Sequence, residues 1–359
     1  MTVLENIIRE LIAYEGKITF ERFMRLALYM PVHGYWRKEA YPVGYAGDFL
    51  TAPETSTAFA RCIVQALKDM WIGMGSPPRF DIAEFGSGRG TLAVAVMTRL
   101  RDAVPELYRV SRYFLCEQSY WARKNFNPPQ PLRSDGKFVT MSPRDLEPNF
   151  LRGCILSNEF FDAFSVHRLQ QRNGRLLECY VGLDAAGRFT EAYDRLSSGL
   201  IAGFWEMYGV ALEDGQAAEV SRTAQGAFDA MVRALAEGYM CTIDYGDLAS
   251  KLYGALPDGT VMTYHTHQAN DAYYTDIGEK DITAHVNFTM LTERGKMFGL
   301  VPELFVSQAQ FLVTRGIADD MLANMEDLEA VNSTQAIKRL LSPSHMGERF
   351  KVLVQKKSN

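Results

Sequence analysis

Along residues 2–30 apolar side chains return every three or four positions. Leu4, Ile7, Ile8, Leu11 and Ile12 share one face, then Phe20, Phe23, Met24 and Leu28 share another, which predicts two helices with Pro31 ending the second. Ala58–Met74 repeats the pattern before Gly75 and Pro77-Pro78. A different pattern then takes over. Phe80–Phe85, Tyr113–Glu117, Gly153–Ser157 and Tyr239–Asp244 are continuous apolar runs, and each meets polar groups at its end. Such runs read as buried parallel strands. Val166–Leu183 alternates around Asn173-Gly174 and reads as a hairpin. Ala192–Leu235 reads as mostly helical, Phe288–Phe298 as a helix and Phe350–Val354 as a last strand. Apolar strands with polar carboxyl ends, separated by helical stretches, predict an open α/β sheet with its ligand at those ends.

The first strand runs into Glu84-Phe-Gly-Ser-Gly-Arg-Gly90 and at once into a helix-forming run. A dinucleotide fingerprint would need its third glycine at position 91, which is Thr91. Glu-x-Gly-x-Gly-x-Gly suits S-adenosylmethionine instead, because no pyrophosphate must be seated and an acid suits a cationic methionine moiety. Glu84, Gly86, Ser87 and Gly88 are therefore cofactor candidates, glycine allowing a ligand to approach the backbone. The bland alternative is a turn that only packs helix on strand. Glu117 ends the second strand 33 residues after Glu84 and can accept ribose hydroxyls, although that interval exceeds the usual ~20.

Asn158, Glu159 and Asp162 are interleaved with Phe160 and Phe161 after the expected fourth strand of the sheet. Carboxylates there can orient a guanidinium, or a carboxylate or histidine can take a proton from a hydroxyl or amine. A helix N-terminus capped by Asn158 is the structural alternative. Asp281, His285 and Asn287 form a second polar group, and His265 is a further candidate base. His265 and His267 lack supporting ligands, so no metal is expected. The loop Gly47–Ser56 is ambiguous by itself, since Thr51 or Ser56 can simply cap the next helix.

The 359 residues suffice for one large or two ordinary domains. A net charge of -5 argues against nucleic acid and leaves a cationic substrate open. Five cysteines without a Cys-x-x-Cys pair point to a reduced compartment, and a cytoplasmic location is expected. Met1–Tyr14 shows no signal-peptide core, and no apolar run approaches ~20 residues, so no membrane span is expected.

The chain resembles the MidA-like family, typified by the mitochondrial complex I assembly methyltransferase. The resemblance is carried by Tyr29–Tyr35 with Gly47–Glu54, by Glu84–Leu92, by Asn158–Ala163, by Asp281–Val286 with Phe288, and by His345–Lys351. It implies a Rossmann-like class I methyltransferase sheet with added helical elements, and methylation by S-adenosylmethionine, with protein arginine as the acceptor of the mitochondrial member. It also implies that Gly86, Gly88 and Glu117 hold the cofactor and that Asn158–Asp162 and Gly47, Asp48, Thr51, Pro53 and Glu54 border the site. Ser87, Thr55, Phe164-Ser165, Asn287 and residues 263–274 depart from the family's wording, which leaves the acceptor open. The expected organisation is an N-terminal helical segment (1–78), a core (79–183 and 236–359) and a helical insertion on the substrate side (184–235). A small-metabolite acceptor with His285 or His265 as base is the rival, a non-catalytic assembly factor the third reading, and a homodimer is left open.

Overall fold

The computed structural model describes residues 2–37, 57–265, 268–317, 328–343 and 345–358. Its chain forms two compact units. Among the described residues one draws on 57–160, 229–245 and those from 294 onward, the other on 2–37, 161–228 and 246–293.

The first of these units is built on a seven-stranded sheet. Its strands are β1 (Phe80–Phe85), β2 (Ser111–Cys116), β3 (Phe138–Met141), β4 (Leu151–Asn158), β5 (Leu235–Asp247), β6 (Leu300–Ser307) and β7 (Phe350–Lys357). They lie in the order β6-β7-β5-β4-β1-β2-β3. β5, β4, β1, β2 and β3 run parallel, while β7 runs antiparallel between β5 and β6. All six residues of β1 are buried, as a central strand covered on both faces requires. Helix Thr57–Gly73 packs Phe59, Ile63 and Leu67 into the same core as Leu92, Val96 and Leu100 of helix Thr91–Ala103. Each fully buried side chain of this kind contributes about 1.5–3 kcal/mol. The chain leaves β1 toward β2 and later returns on the other side as β4. The crevice outside the carboxyl ends of β1 and β4 is thus a topological switch point, where open α/β sheets bind ligands.

The other unit carries helices Val3–Glu15 and Phe20–Tyr29 and a five-stranded antiparallel sheet. Thr2 and Thr19 cap the two helices, each accepting a bond from the amide three residues on. Leu4, Ile8 and Ile12 join Phe20, Phe23 and Val181 in its core. The expected hairpin is present: His167–Arg172 pairs with Arg175–Leu183, and Asn173 and Gly174 both take positive φ (49° and 74°). The stretch 184–235 divides between helices Gly199–Met207 and Arg222–Ala234 and strands Phe189–Asp194 and Ala217–Val220. Among the described residues no helix is long and apolar enough to cross a membrane.

Candidate active site

β1 ends at Phe85 and the backbone turns through residues with positive φ, 71° at Gly86, 52° at Gly88 and 79° at Gly90, before the helix begins. The glycines also answer to packing. A Cβ on Gly86 would stand 2.7 Å from Cδ2 of Phe160, and one on Gly90 would stand 2.7 Å from Cδ2 of Phe126. At those two positions the protein's own aromatic rings also exclude a side chain, a cause the sequence did not show. Gly88 differs: its N–H donates to Oε2 of Glu117 at 2.9 Å.

Glu117 stands just past β2, and its Oε1 accepts the Ser119 N–H at 2.7 Å. Each oxygen already holds one amide and retains a lone pair for a further donor such as a ribose hydroxyl. Glu84 sits inside the sheet, 5% exposed, and accepts a hydrogen bond from the Tyr113 hydroxyl at 2.8 Å. Burial pushes its carboxyl up to about 8; the Tyr113 bond opposes this, and the negative charge of Glu117 adds to it. A cation beside Glu84 would draw it back to the ionised form.

At the end of β4, Asn158 Nδ2 donates to Glu159 Oε1 at 3.1 Å, while Asn158 Oδ1 is buried without a partner among the described residues. Ser87 Oγ, at the end of β1, is orphaned in the same way. Glu159 takes a left-handed φ of 49°, and its N–H donates to Ile243 O at 3.0 Å. Asp244 of β5 anchors the next residue, accepting the Phe160 N–H at 3.0 Å. The chain passes from here into turns, so Asn158 caps no helix and that alternative fails. Unsatisfied buried polar atoms cost about 1–3 kcal/mol each. Two of them at the same strand ends as a buried carboxyl that no cation among the described residues offsets fit a cationic ligand rich in hydrogen-bonding groups, as S-adenosylmethionine is.

Glu84, Gly86, Ser87, Gly88, Glu117, Asn158 and Glu159 thus belong to one unit and to the carboxyl ends of adjacent strands. Asp162 and His285 belong to the other unit. There Ala284 N–H donates to Asp162 O at 3.2 Å, which sets His285 one residue from that contact. Burial raises the Asp162 carboxyl above its ordinary range. The backbone N–H of His285 donates to Thr260 Oγ1 at 3.1 Å. Asp281 accepts the Trp36 indole N–H at 3.1 Å, and Asn287 Oδ1 accepts Met290 N–H at 3.2 Å, capping helix Phe288–Met297. His265 ends strand Met262–His265, whose backbone pairs with Gln268–Asn270. Gly47, Asp48, Thr51, Pro53, Glu54 and His267 lie outside the described residues.

Sequence reasoning missed Tyr113 as partner of Glu84, Phe126 beside Gly90, and the anchoring role of Asp244. Only Asp244 left a signal, as the acid ending an apolar run.

The family model for S-adenosyl-L-methionine-dependent methyltransferases matches residues 62–306. The human mitochondrial protein arginine methyltransferase NDUFAF7 is 28% identical, over 93% of this chain and 79% of its own length. The Drosophila melanogaster homologue is 26% identical, over 96% and 83%. A crystal structure from Burkholderia thailandensis bound to S-adenosylhomocysteine is 27% identical, with a TM-score of 0.86, over 99% of this chain and 92% of that one. The expected cytoplasmic location is overturned by these curated relatives, which are mitochondrial. The cofactor is S-adenosylmethionine and the activity is methyl transfer, in agreement with the glycine spacing. A match over more than half the chain, on a sheet whose carboxyl edge carries the cofactor's requirements, places the protein in the S-adenosyl-L-methionine-dependent methyltransferase family.

Proposed function

We propose that the methyl acceptor is an arginine side chain of a protein, held by Glu159. The observation that carries this reading is the placement of Glu159 at the end of β4. Its backbone sits in a conformation that costs a non-glycine residue about 1 kcal/mol or more, and the Ile243 carbonyl and Asn158 side chain hold it there. Strain at a carboxylate beside a ligand crevice suggests a position set by chemistry. The relatives named as protein arginine methyltransferases support the same acceptor.

S-adenosylmethionine supplies an electrophilic methyl group on a sulfonium. Glu84 offers negative charge to the bound cation, Ser87 and Asn158 offer unused hydrogen-bonding atoms, and Glu117 keeps the Gly88 amide in place. Glu159 orients the planar guanidinium through two N–H groups and takes the proton released from the methylated nitrogen. Orientation supplies most of the rate, because the leaving group is already activated.

The test is transfer of tritiated methyl to the proteins of a cell extract, followed by acid hydrolysis and amino-acid analysis. Label in methylarginine is expected. Label confined to the low-mass fraction would transfer the assignment to a metabolite. Glu159→Gln is expected to lower turnover at least tenfold with cofactor affinity unchanged. Asp162→Asn tests the second carboxylate of the motif in the same assay, and His285→Ala and His265→Ala are expected to leave turnover intact.

A further inference from the structure

The unit that carries Asp162 and His285 holds a partly open cavity of about 30 Å³. Tyr208, Glu219, Ser221, Tyr253, His285 and Asn287 line it. No lysine or arginine is among its described lining residues, although the charge of Arg168 reaches Glu219. Glu219, 4% exposed, accepts Thr260 N–H on Oε1 at 2.7 Å and the Thr260 hydroxyl on Oε2 at 3.0 Å. Burial raises the Glu219 carboxyl above its ordinary range, and the Thr260 and Val261 bonds and the charge of Arg168 oppose this. A carboxylate has about four lone-pair sites, so acceptor capacity remains. Asn287 is 7% exposed, and its Oδ1 is committed to Met290 N–H, so its Nδ2 is the donor end. That Nδ2 is buried; the Tyr253 hydroxyl draws on one of its two hydrogens at poor geometry, and no described residue takes the other. The Tyr253 proton is spent on Glu219 O, at 3.0 Å. The Tyr208 and Tyr253 rings are 13° from parallel.

Glu219 and Asn287 therefore give the cavity an acceptor and a donor between aromatic walls, beside the Tyr208 hydroxyl, the His285 ring and the Ser221 hydroxyl, which already donates to Ser165 O. We propose that it is a recognition slot for a primary carboxamide, whose N–H donates to Glu219 and whose carbonyl accepts from Asn287. Size agrees: the space holds about two waters, close to the three heavy atoms of a carboxamide. A guanidinium would set donors against Asn287 Nδ2, and a carboxylate would set charge against Glu219. The first leaves Asn287 Nδ2 facing a donor, and the second sets like charges together in a buried place. The carboxamide comes from an asparagine or glutamine of the acceptor protein, which rests on the proposed function, or from a small free amide, which does not.

Saturation-transfer NMR on the full chain decides the matter, with propionamide, ethylguanidinium and propionate as probes. Propionamide is expected to bind in the millimolar range and to shift the Asn287 side-chain amide resonances. Ethylguanidinium and propionate are expected to bind at least tenfold more weakly. Asn287→Asp keeps the cap on Met290 and turns the donor into an acceptor, so propionamide binding should fall at least tenfold while ethylguanidinium gains. Tighter binding of acetyl-Gly-Gln-Gly than of propionamide assigns the slot to a protein side chain, and the reverse order assigns it to a free amide. Propionamide binding that leaves the Asn287 resonances unmoved, or weaker than ethylguanidinium in the wild type, would overturn the proposal. No outcome depends on methyl transfer, so failure of the arginine assignment is read separately.

Discussion

The two ends of β1 bury an acid each, and they are treated in opposite ways. At the amino end Asp81, 0% exposed, accepts Arg79 Nε at 3.1 and 2.9 Å, Arg112 Nη2 at 3.3 Å and the Arg152 N–H at 3.2 Å. At the carboxyl end Glu84 has one hydrogen bond among the described residues, from the neutral Tyr113 hydroxyl. A buried carboxylate is tolerated when cations and amides repay its desolvation. Asp81 is repaid by the protein itself, so that end of the strand is architecture. Glu84 is left short by one cation, and the shortfall sits at the switch point beside two orphaned polar atoms. We propose that incomplete compensation, rather than burial of an acid as such, marks the ligand end.

The contrast is broken most severely at the compensated end. Asp81→Ala removes several charge-assisted bonds and should lower unfolding free energy by about 3 kcal/mol. The folded fraction should bind S-adenosylmethionine as the wild type does. Urea melts with and without cofactor check both halves, and a large loss of affinity in folded Asp81→Ala would erase the distinction.

Glu84→Gln should act in the reverse sense. The substituted side chain can still accept from Tyr113 but offers no charge, and cofactor affinity should fall about 10–100-fold, or ~1.4–2.7 kcal/mol. Its stability should depend on pH in a definite direction. The folded carboxyl of the wild type sits at about 8, above its ordinary 4.5, so the native state binds the extra proton between those values. Stability from the neutral form is fully present below about 4.5 and is lost as pH rises through 8. The wild type should therefore lose stability relative to Glu84→Gln between pH 5 and 9. Equal pH dependence in the two proteins would show that Glu84 is already compensated.

Much of this region was legible in sequence. Continuous apolar runs announced β1, β2, β4 and β5, and Asn173-Gly174 announced the hairpin, because burial and φ leave local signatures. β6 left none: it is an edge strand with Pro302 and a register shift between Pro302 and Leu304, and much of it is not buried. β3 is four residues long and has no fully buried position. The glycine turn was read correctly for its cofactor but only partly for its cause. Phe160 and Phe126 reach Gly86 and Gly90 from far along the chain, and no local pattern encodes such a meeting. The cavity around Glu219 was invisible for the same reason, since Thr260 and Asn287 arrive from separate segments.

Gly86 separates the two causes. Gly86→Ala must force a Cβ against Phe160 and hold φ at 71°, for about 1–3 kcal/mol of stability. Because Phe160 follows Glu159 directly, turnover should fall more than cofactor affinity. A double change, Gly86→Ala with Phe160→Ala, should recover the steric part and leave the cost of the left-handed backbone. If the second change recovers nothing, the glycine is required by backbone conformation alone.

The smallest effect expected is at Glu117, and it tests whether compensation by amides differs from compensation by charge. Both Glu117 oxygens already hold backbone N–H groups, Gly88 and Ser119. Glutamine keeps one acceptor oxygen and turns an NH2 group toward the other amide, so one of the two bonds is lost. The loss of one such bond is worth about 1 kcal/mol, which predicts cofactor affinity roughly fivefold weaker in Glu117→Gln. Glu117→Ala, which loses both amides and any ribose contact, should weaken binding further, and by more than twice the glutamine effect in free energy. The order Glu84→Gln, then Glu117→Gln, follows from the charge that each position lacks: Glu84 waits for a cation, whereas Glu117 is already held by the backbone. Calorimetric titration of both variants with S-adenosylmethionine reads that order directly, and a larger loss at Glu117→Gln would mean that the ribose side, not the cation side, dominates the cofactor's hold.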